Sequence, residues 1–360
     1  YAPAEAARDK GHATAKFDVL TGEQQKAKSN APSYTKVFAQ SLMAEAGRDD
    51  KIVAVTAAMP DGTGLNLFAE RFPRRCFDVG IAEQHAVTSA AGMAFAGLHP
   101  VVALYSTFLN RAFDQLLLDV ALHKAGVTFV LDRAGITGDD GPSHHGIWDL
   151  ALTGIVPAMH VGAPRDASRL REILREAVTI SDAPSMVRFP KGAVQSDIPA
   201  FERRDGIDVL YRGESADVLL ISIGAMAAIA VEAASMAYRE GVGVTVIDPR
   251  WVKPLSSALV RIAQRYKSVV VLEDGIKHGG IASSISEMFR DAGLSTPIHS
   301  IGIPLEFIEH SKRTEIMNDL GITAQNIARS IVEWNSSTSE SAMAEMQYPV
   351  DESADCKQPH

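Results

Sequence analysis

One acidic side chain lies in an otherwise apolar stretch that opens a Gly/Ala-rich helix. The run Asp78-Val-Gly-Ile-Ala-Glu-Gln-His-Ala86 places the carboxylate of Glu83 where little else is polar. Burial raises the pKa of a carboxyl group unless a cation or hydrogen-bond donors face it. We therefore expect Glu83 to be buried and to meet a ligand. The alternative is a structural role in the first turn of the helix, where an acidic residue complements the helix dipole.

Three further polar segments follow predicted strands. Open α/β sheets bind their ligands at the carboxyl ends of parallel strands, so these segments are candidates for the rest of a site. The longest has about a dozen residues and is too polar to be a mere connection. The segments are Tyr105–Asp114, Asp132–Gly146 and Arg188–Gly192.

Composition restricts the classes of partner. The chain has 360 residues, 46% of them hydrophobic, enough for two cores. Its net charge of −9, with no long Lys/Arg block, argues against nucleic acid. Cys76 and Cys356 are far apart and form no disulfide framework, which favours a reducing cytoplasm. No apolar run reaches the roughly 18 residues of a membrane span, and the N-terminal residues show no basic-then-apolar signal pattern. These features predict a soluble cytoplasmic protein without a membrane partner.

Short apolar strands alternate with amphipathic helical stretches, which predicts an α/β fold with two parallel-sheet domains. For the first domain the predicted strands are Ile52–Thr56, Val101–Tyr105, Val127–Asp132, Val156–Val161 and Met186–Phe189. The predicted helices there are Tyr34–Ala46, Gln84–Ala96, Arg111–Lys124 and Asp166–Thr179. For the second, the predicted elements are strands at 217–224, 242–248, 268–273 and 298–301, and a last helix at 324–334.

The same rhythm sets the predicted domain boundaries. We place the first domain at residues 34–195 and the second, smaller one at 214–335, with a charge-rich interdomain linker at 196–213. Residues 1–33 are predicted to form an extended linker from an upstream part of a longer protein. Residues 336–360 are rich in Ser, Glu and Asp without periodicity, so we expect them to be disordered.

At these segments the chain resembles the 1-deoxy-D-xylulose-5-phosphate synthases, a thiamine-diphosphate-dependent family of the transketolase superfamily. The resemblance covers about residues 33–334 and rests on several motifs in the family's order. They are the 78–87 run, Tyr105-Ser-Thr-Phe-Leu, Asp132-Arg-Ala-Gly, Asp140-Gly with Ser-His144, and Asp248-Pro-Arg-Trp-Val-Lys-Pro. It implies a pyrimidine-binding domain followed by a transketolase C-terminal domain.

The family's magnesium motif, Gly-Asp-Gly with a later Asn, has no counterpart here. Gly138-Asp-Asp-Gly141 comes nearest but has no suitable Asn downstream. The resemblance therefore implies that the Mg²⁺ ligands belong to an N-terminal pyrophosphate-binding domain outside this chain, in cis or in trans. We expect no metal ligands in this chain, and we expect the chain alone to be inactive.

The resemblance assigns the cofactor contacts to four residues. Glu83 would meet N1′ of the aminopyrimidine and favour its imino tautomer, and Phe108 would stack on the ring. Ile81 and Arg111 would also contact the cofactor. An ordinary core position remains open for Phe108, and an exposed helix cation paired with Asp114 or Asp119 remains open for Arg111.

The implied substrates are pyruvate and D-glyceraldehyde 3-phosphate, joined with loss of carbon dioxide to 1-deoxy-D-xylulose 5-phosphate. Arg133 and Lys191 would bind the phosphate, although Lys191 stands where many relatives carry Arg and lacks its bidentate geometry. His144, oriented by Asp140, would serve as acid and base, the alternative being a satisfied loop histidine. Tyr105 would also line the substrate site.

Other interpretations remain open at this point. The chain is also compatible with the β subunit of a 2-oxo acid dehydrogenase E1 component, or with a catalytically inactive assembly half. Arg188 competes with Lys191 and is interpreted as a buried ion-pair partner, while His145 is interpreted as a bystander. The segment Glu273-Asp274-Gly275 is either part of an interface or a solvated turn. A homodimer is expected from the resemblance alone.

Overall fold

A computed structural model describes residues 1–6, 17–23 and 31–347, with side chains through residue 336. The chain divides into two compact units, Tyr1–Pro32 and Ser33–His360. In the first unit, helix α1 (Ala2–Ala6) forms where an extended linker was predicted. The rest of that predicted linker, at residues 7–16 and 24–30, lies outside the described residues.

The second unit contains two sheets with helices packed on them. Its helices are α2 (Tyr34–Ala46), α3 (Leu65–Arg71), α4 (Glu83–Phe95), α5 (Phe113–Gln115), α6 (Asp149–Gly154), α7 (Ala167–Ala177), α8 (Ala227–Arg239), α9 (Ala258–Ala263), α10 (Ile281–Asp291), α11 (Arg313–Asp319) and α12 (Ala324–Gln347). Its strands are β1 (Ile52–Thr56), β2 (Cys76–Asp78), β3 (His99–Tyr105), β4 (Thr128–Asp132), β5 (His160–Gly162), β6 (Ser185–Arg188), β7 (Glu202–Arg204), β8 (Ile207–Tyr211), β9 (Val218–Ser222), β10 (Val244–Asp248), β11 (Trp251–Lys253), β12 (Ser268–Ile276) and β13 (Ile298–Ile303).

The first sheet has the order β11-β5-β6-β4-β3-β1-β2 and is parallel except for β11. Strands β1, β3 and β4 are fully buried, because their apolar runs have helices on both faces. From β1 the chain continues to β2 on one side and then to β3 on the other. The carboxyl ends of β1 and β3 therefore flank a topological switch point, the usual place for a ligand in such a sheet.

The second sheet has the order β13-β12-β9-β10-β8-β7, parallel from β13 to β10 and antiparallel from there to β7. The predicted α/β class with two mainly parallel sheets is confirmed. Strands β7 and β8 lie in the segment 196–213 that was predicted to be a linker. That prediction was wrong, because the charged residues there form the antiparallel edge of the second sheet.

Strand β11 crosses from the second domain to the first. It follows β10 directly, yet it pairs antiparallel with β5, placing Trp251 opposite Gly162. The sequence predicted a strand at 242–248 but none at 251–253. The observed strand means that the first sheet takes one edge from the second domain.

Two helical predictions also need correction. The helix predicted at Arg111–Lys124 is a 3₁₀ segment from Ser106 to Ala112, followed by α5 and a wide π-type turn from Leu116 to Ala121. Helix α12 continues to Gln347, so residues 336–347 are helical where disorder was predicted. The remainder of that predicted tail, 348–360, lies outside the described residues.

Candidate active site

Four segments converge at the switch point of the first sheet. Tyr105 ends β3 and Asp132 ends β4, and the two residues are paired in register. The loop after β1 and the amino end of α4 lie next to them and complete the group. The predicted site residues therefore come from several elements whose ends the parallel sheet brings together.

Glu83 is the first residue of α4 and is buried against a cation. Its side chain is 3% exposed, and its carboxylate oxygens lie 3.2 and 3.3 Å from Nη1 of Arg111. Cζ of Arg111 also lies 5.1 Å from the ring centroid of Phe108. The structure thus brings these three predicted residues together. Asp119, one alternative partner of Arg111, instead accepts a hydrogen bond from Thr88.

Ile81 precedes Glu83 by two positions and is 78% exposed. At that exposure, most of the apolar surface of Ile81 makes no contact with the described residues of this chain. It remains available to a ligand or to another chain next to the buried carboxylate.

Tyr105 and Phe108 form a stacked pair behind the ion pair. Their ring centroids are 5.8 Å apart with an interplanar angle of 11°. Burial raises the pKa of Tyr105 to about 12, so its hydroxyl stays protonated and can donate a hydrogen bond. A Cβ on Gly62 would lie 2.0 Å from that hydroxyl oxygen, so only glycine allows the loop after β1 to approach so closely.

Arg133 turns back over Tyr105 from the end of β4. Its Cζ lies 3.8 Å from the Tyr105 ring centroid. Its φ is +63°, a left-handed conformation that non-glycine residues adopt mainly at constrained or functional positions. Nη1 donates to the carbonyl oxygen of Gly62 and to Oδ1 of Asp132, both at 2.8 Å. The guanidinium is therefore fixed before any anionic ligand arrives.

Asp132 is the buried partner that holds Arg133. Its other oxygen, Oδ2, accepts a hydrogen bond of 2.6 Å from the Thr35 hydroxyl of α2. Burial raises the pKa of Asp132 to about 6, although Arg133 and Thr35 oppose this shift. The folded chain therefore binds this proton more strongly than the unfolded chain, where the ordinary value of 3.8 applies.

This shift gives the Asp132→Asn variant a pH-dependent stability. The contribution of the Asp132 carboxyl to stability is fully present below about pH 4 and is lost as the pH rises through 6. We expect the free energy of unfolding of the variant, relative to wild type, to rise between pH 4 and pH 8 by on the order of 3 kcal/mol. Urea unfolding of this chain measures it, with Asp139→Asn on the exposed loop as the control. A constant difference between variant and wild type would contradict it.

The loop between Arg133 and Gly146 is closed at its neck by two backbone hydrogen bonds. The N–H of Gly135 donates to the carbonyl of Gly146, and the N–H of Gly146 donates back, both at 2.8 Å. A Cβ on Gly146 would lie 2.4 Å from the carbonyl oxygen of Arg133. The neck is therefore too tight for a larger residue.

His144 lies on the outer arm of this loop, against the aromatic pair. Its ring meets Phe108 edge-on, with centroids 5.6 Å apart, and its Nδ1 lies 2.9 Å from the Ser143 hydroxyl. Thr107 donates to the carbonyl oxygen of Ser143 at 3.1 Å. The structure thus places His144 next to the predicted cofactor face, where it can exchange a proton with a bound molecule.

Lys191 and Asp140 close the other side of the group. The Lys191 ammonium lies 2.7 Å from Oδ2 of Asp140, and both side chains are partly exposed. Asp140 therefore contacts Lys191, and no bond to His144 places it in the orienting role predicted from sequence. A phosphate bound at Lys191 would compete with this carboxylate for the ammonium.

Arg188 and His145, which the sequence analysis left out of the site, have structural contacts. Arg188 is buried and pairs with Asp149 at 2.7 Å and with Asp274 at 2.6 Å, so its interpretation as an ion-pair residue is confirmed. Asp274 lies inside β12 at this interface, and the solvated turn considered for that segment was wrong. His145 is buried, and its Nδ1 accepts a hydrogen bond from the Thr137 N–H at 3.1 Å. Burial lowers the pKa of His145, as suits a neutral structural ring.

Asp78 has a positioning role that the sequence did not reveal. Its Oδ1 accepts hydrogen bonds from the N–H groups of Ala58 and Gly80, at 2.8 and 3.0 Å. It therefore joins the loop after β1 to the turn that precedes Glu83. An acidic residue at the end of a short strand and two residues before a glycine is the only sequence signal for this contact.

The chemistry of these groups fits one part of thiamine diphosphate. A buried carboxylate beside a partly exposed aromatic ring suits a flat heterocycle with a ring nitrogen. Within residues 1–6, 17–23 and 31–336, no group of three His, Cys, Asp or Glu side chains could hold a metal ion. A flat pyrimidine ring therefore fits the group of residues at the switch point.

Comparison with protein families gives the same two-part division. The transketolase pyrimidine-binding domain matches residues 30–196, and the transketolase C-terminal domain matches residues 208–327. The chain belongs to the transketolase family. In the described part of this transketolase-family chain, no helix has the length and apolar character needed to cross a membrane.

Named relatives refine this relationship. The chain is 54% identical over 325 residues to 1-deoxy-D-xylulose-5-phosphate synthase of Leifsonia xyli, covering 90% of this chain and 50% of the relative. It is also 54% identical over 338 residues to the synthase of Mycobacterium tuberculosis, covering 93% of this chain and 53% of the relative. The chain thus spans about half the length of the curated relatives it matches.

Two solved structures share this transketolase-type fold. A split-gene transketolase described as an inactive β4 tetramer matches with a TM-score of 0.74 and 28% identity, covering 84% of this chain and 98% of that chain. Transketolase from Campylobacter jejuni matches with a TM-score of 0.71 and 16% identity, covering 86% of this chain and 48% of that chain. At that identity the second comparison concerns the fold alone.

Proposed function

We propose that this chain supplies the pyrimidine-binding and C-terminal domains, residues 34–195 and the second sheet, of a 1-deoxy-D-xylulose-5-phosphate synthase. The reaction is the thiamine-diphosphate-dependent condensation of pyruvate with D-glyceraldehyde 3-phosphate, with loss of carbon dioxide. It is the first step of the methylerythritol phosphate route to isoprenoids. The observation that carries the proposal is the buried Glu83 carboxylate beside Arg111 and Phe108 at the switch point.

The proposed roles on the cofactor side follow from the contacts. Thiamine diphosphate, when bound, supplies an electron-accepting ring for decarboxylation of a 2-oxo acid. Glu83 shares a hydrogen with N1′ of the pyrimidine, and its burial beside the Phe108 ring and Arg111 supports this contact. Phe108 provides the stacking face, Ile81 an apolar edge, and Arg111 keeps the carboxylate oriented toward that face.

The proposed roles on the substrate side involve the loop after β4. Arg133 and Lys191 bind the phosphate of the aldehyde, as charge-assisted donors. Tyr105 donates from its protonated hydroxyl, and His144 moves a proton at the aldehyde oxygen. Asp140 holds Lys191 in the ligand-free chain and joins the substrate site once the phosphate displaces it.

The ligands of Mg²⁺ and of the diphosphate belong, in this proposal, to a pyrophosphate-binding domain in cis or in trans. The split-gene transketolase chain is matched over 98% of its length by this chain, which supports a division of the enzyme between two parts. Its description as inactive supports the inactivity of this chain by itself. We also propose a cytoplasmic homodimer. Exposed apolar residues next to α4 support a partner copy; they are Phe77, Phe95, Leu98, Leu118 and Leu122.

A reconstitution tests the proposal. We expect this chain, mixed with or fused to the pyrophosphate-binding domain of a curated relative, to form 1-deoxy-D-xylulose 5-phosphate from the two substrates with Mg²⁺ and thiamine diphosphate. By calorimetric titration the chain alone should show no micromolar binding of the cofactor, because it lacks the diphosphate ligands. Product analysis by mass spectrometry gives the readout.

The contrary outcomes separate the alternatives. Acyl transfer to a lipoyl domain without sugar product would indicate a 2-oxo acid dehydrogenase E1 β subunit. A folded fusion that binds cofactor but forms neither product would indicate an inactive assembly half. Micromolar cofactor binding by the chain alone would contradict the assignment of the diphosphate ligands to another domain.

A further inference from the structure

The loop that carries Asp140 and His144 belongs to the first domain by sequence but is packed against the second. Its inner arm, residues 136–138, is buried, whereas Asp139 and Asp140 on its outer arm are exposed. Ile136 on the inner arm and Ile147, which follows the loop directly, are packed in the hydrophobic core of the second domain. In addition, the N–H of Ile276 in β12 donates to the carbonyl oxygen of Ile147 at 3.0 Å.

One side chain joins this loop to the second domain from the other side. Arg313, at the start of α11, donates from Nη1 to the carbonyl oxygen of Ile136. Its Nη2 lies 3.8 Å from Oδ2 of Asp274, the buried acid that also pairs with Arg188. The Arg313 side chain is 26% exposed, and its guanidinium connects the loop to the buried Asp274 of β12.

The loop backbone approaches this segment so closely that glycine is required. A Cβ on Gly138, whose φ is +92°, would lie 2.9 Å from the backbone nitrogen of Arg313 and 3.1 Å from the carbonyl oxygen of Ser311. A Cβ on Gly135, with φ +73°, would lie 2.4 Å from Oδ2 of Asp274. The second domain therefore determines the path of the loop at two points, Gly135 in the neck and Gly138 on the inner arm.

We propose that Arg313 is a positioning residue that holds the inner arm of the 133–146 loop, so that the C-terminal domain shapes the aldehyde side of the active site. Arg313 acts through the loop. Asp140 and His144 follow the clamped arm by only a few residues, and the closed neck at Gly135 and Gly146 transmits its position. The catalytic consequence rests on the proposed function, whereas the clamp itself does not.

Hydrogen exchange of this chain alone tests the clamp. In Arg313→Met we expect the amides of Gly135 and Gly146 to exchange about tenfold faster, the factor that one hydrogen bond from a charged donor is worth. The amides of β12 should exchange at the wild-type rate. Arg313→Lys should fall between, and Gly138→Ala should open the loop from the other side. Arg329→Met, an exposed arginine of α12, is the control.

The outcomes distinguish positioning from general stabilisation. Unchanged exchange at Gly135 and Gly146 in Arg313→Met would overturn the proposal, as would equal acceleration of loop and β12. In the reconstituted enzyme, Arg313→Met should raise the KM for the phosphorylated aldehyde about tenfold without changing the Kd for thiamine diphosphate. If Arg313→Met exchanges faster at the loop but the reconstituted wild-type protein is inactive, the contact between Arg313 and the loop is supported and the proposed function is rejected.

Discussion

Replacing Glu83 by glutamine is expected to reduce turnover of the reconstituted enzyme by at least about 100-fold while the chain stays folded. Glutamine keeps the shape of the side chain, but it can neither ionise nor hold an acidic proton at a ring nitrogen. Only the hydrogen bond to Arg111 and a helix-terminal charge are weakened, and an interaction of that kind is worth about 1 kcal/mol.

The measurement combines kcat with thermal unfolding of the chain. Glu70→Gln, an exposed carboxylate on α3, makes the same chemical change away from the site and should match wild type in both. Turnover of Glu83→Gln within a few-fold of wild type would remove Glu83 from the mechanism. An equal loss in both variants would point to assembly instead.

The second large effect is expected at Arg133. In the reconstituted enzyme, Arg133→Met should raise the KM for glyceraldehyde 3-phosphate by about 100-fold, since hydrogen bonds between two charged groups contribute on the order of 2–3 kcal/mol. The KM for unphosphorylated glyceraldehyde should change little. Arg133→Lys keeps the charge but not the planar guanidinium, so we expect an intermediate KM.

Arg133→Met also leaves the buried Asp132 without its cation, which is a separate structural effect. The double variant Asp132→Asn with Arg133→Met removes that unpaired charge and separates the two effects. It should recover stability in urea unfolding but not the KM for the phosphorylated aldehyde. An equal rise in KM for both aldehydes would contradict a phosphate role for Arg133.

The regular part of the fold could be predicted where local signals agree. Helix α2 and strand β1 have the predicted bounds, because Ser33 accepts a hydrogen bond from the N–H of Lys36 at the helix start and β1 is one continuous apolar run. Strands β7 and β8 were missed because their charged side chains interrupt the apolar runs from which the other strands were predicted. Arg203 on β7 is paired with the buried Asp208 on β8, a contact that composition cannot reveal.

Burial of Glu83 and the grouping of strand-end residues also followed from sequence, since helix starts and strand ends are local features. The partners of these residues did not. Thr35 bonds Asp132 across 97 positions, and Arg313 reaches Ile136 across 177. Such pairs depend on how helices and domains pack, and a short stretch of sequence carries no information about that packing. The roles of the grouped residues remain predictions.

Because β11 completes the first sheet, the two domains are expected to evolve together. A recombination event that exchanged the second domain for a foreign one would also replace the outermost strand of the first sheet and its contact with β5. Such a chimeric protein would fold only if its incoming segment could pair with β5. We therefore expect the two domains to be inherited together, even in lineages where other domains of the protein are added or lost.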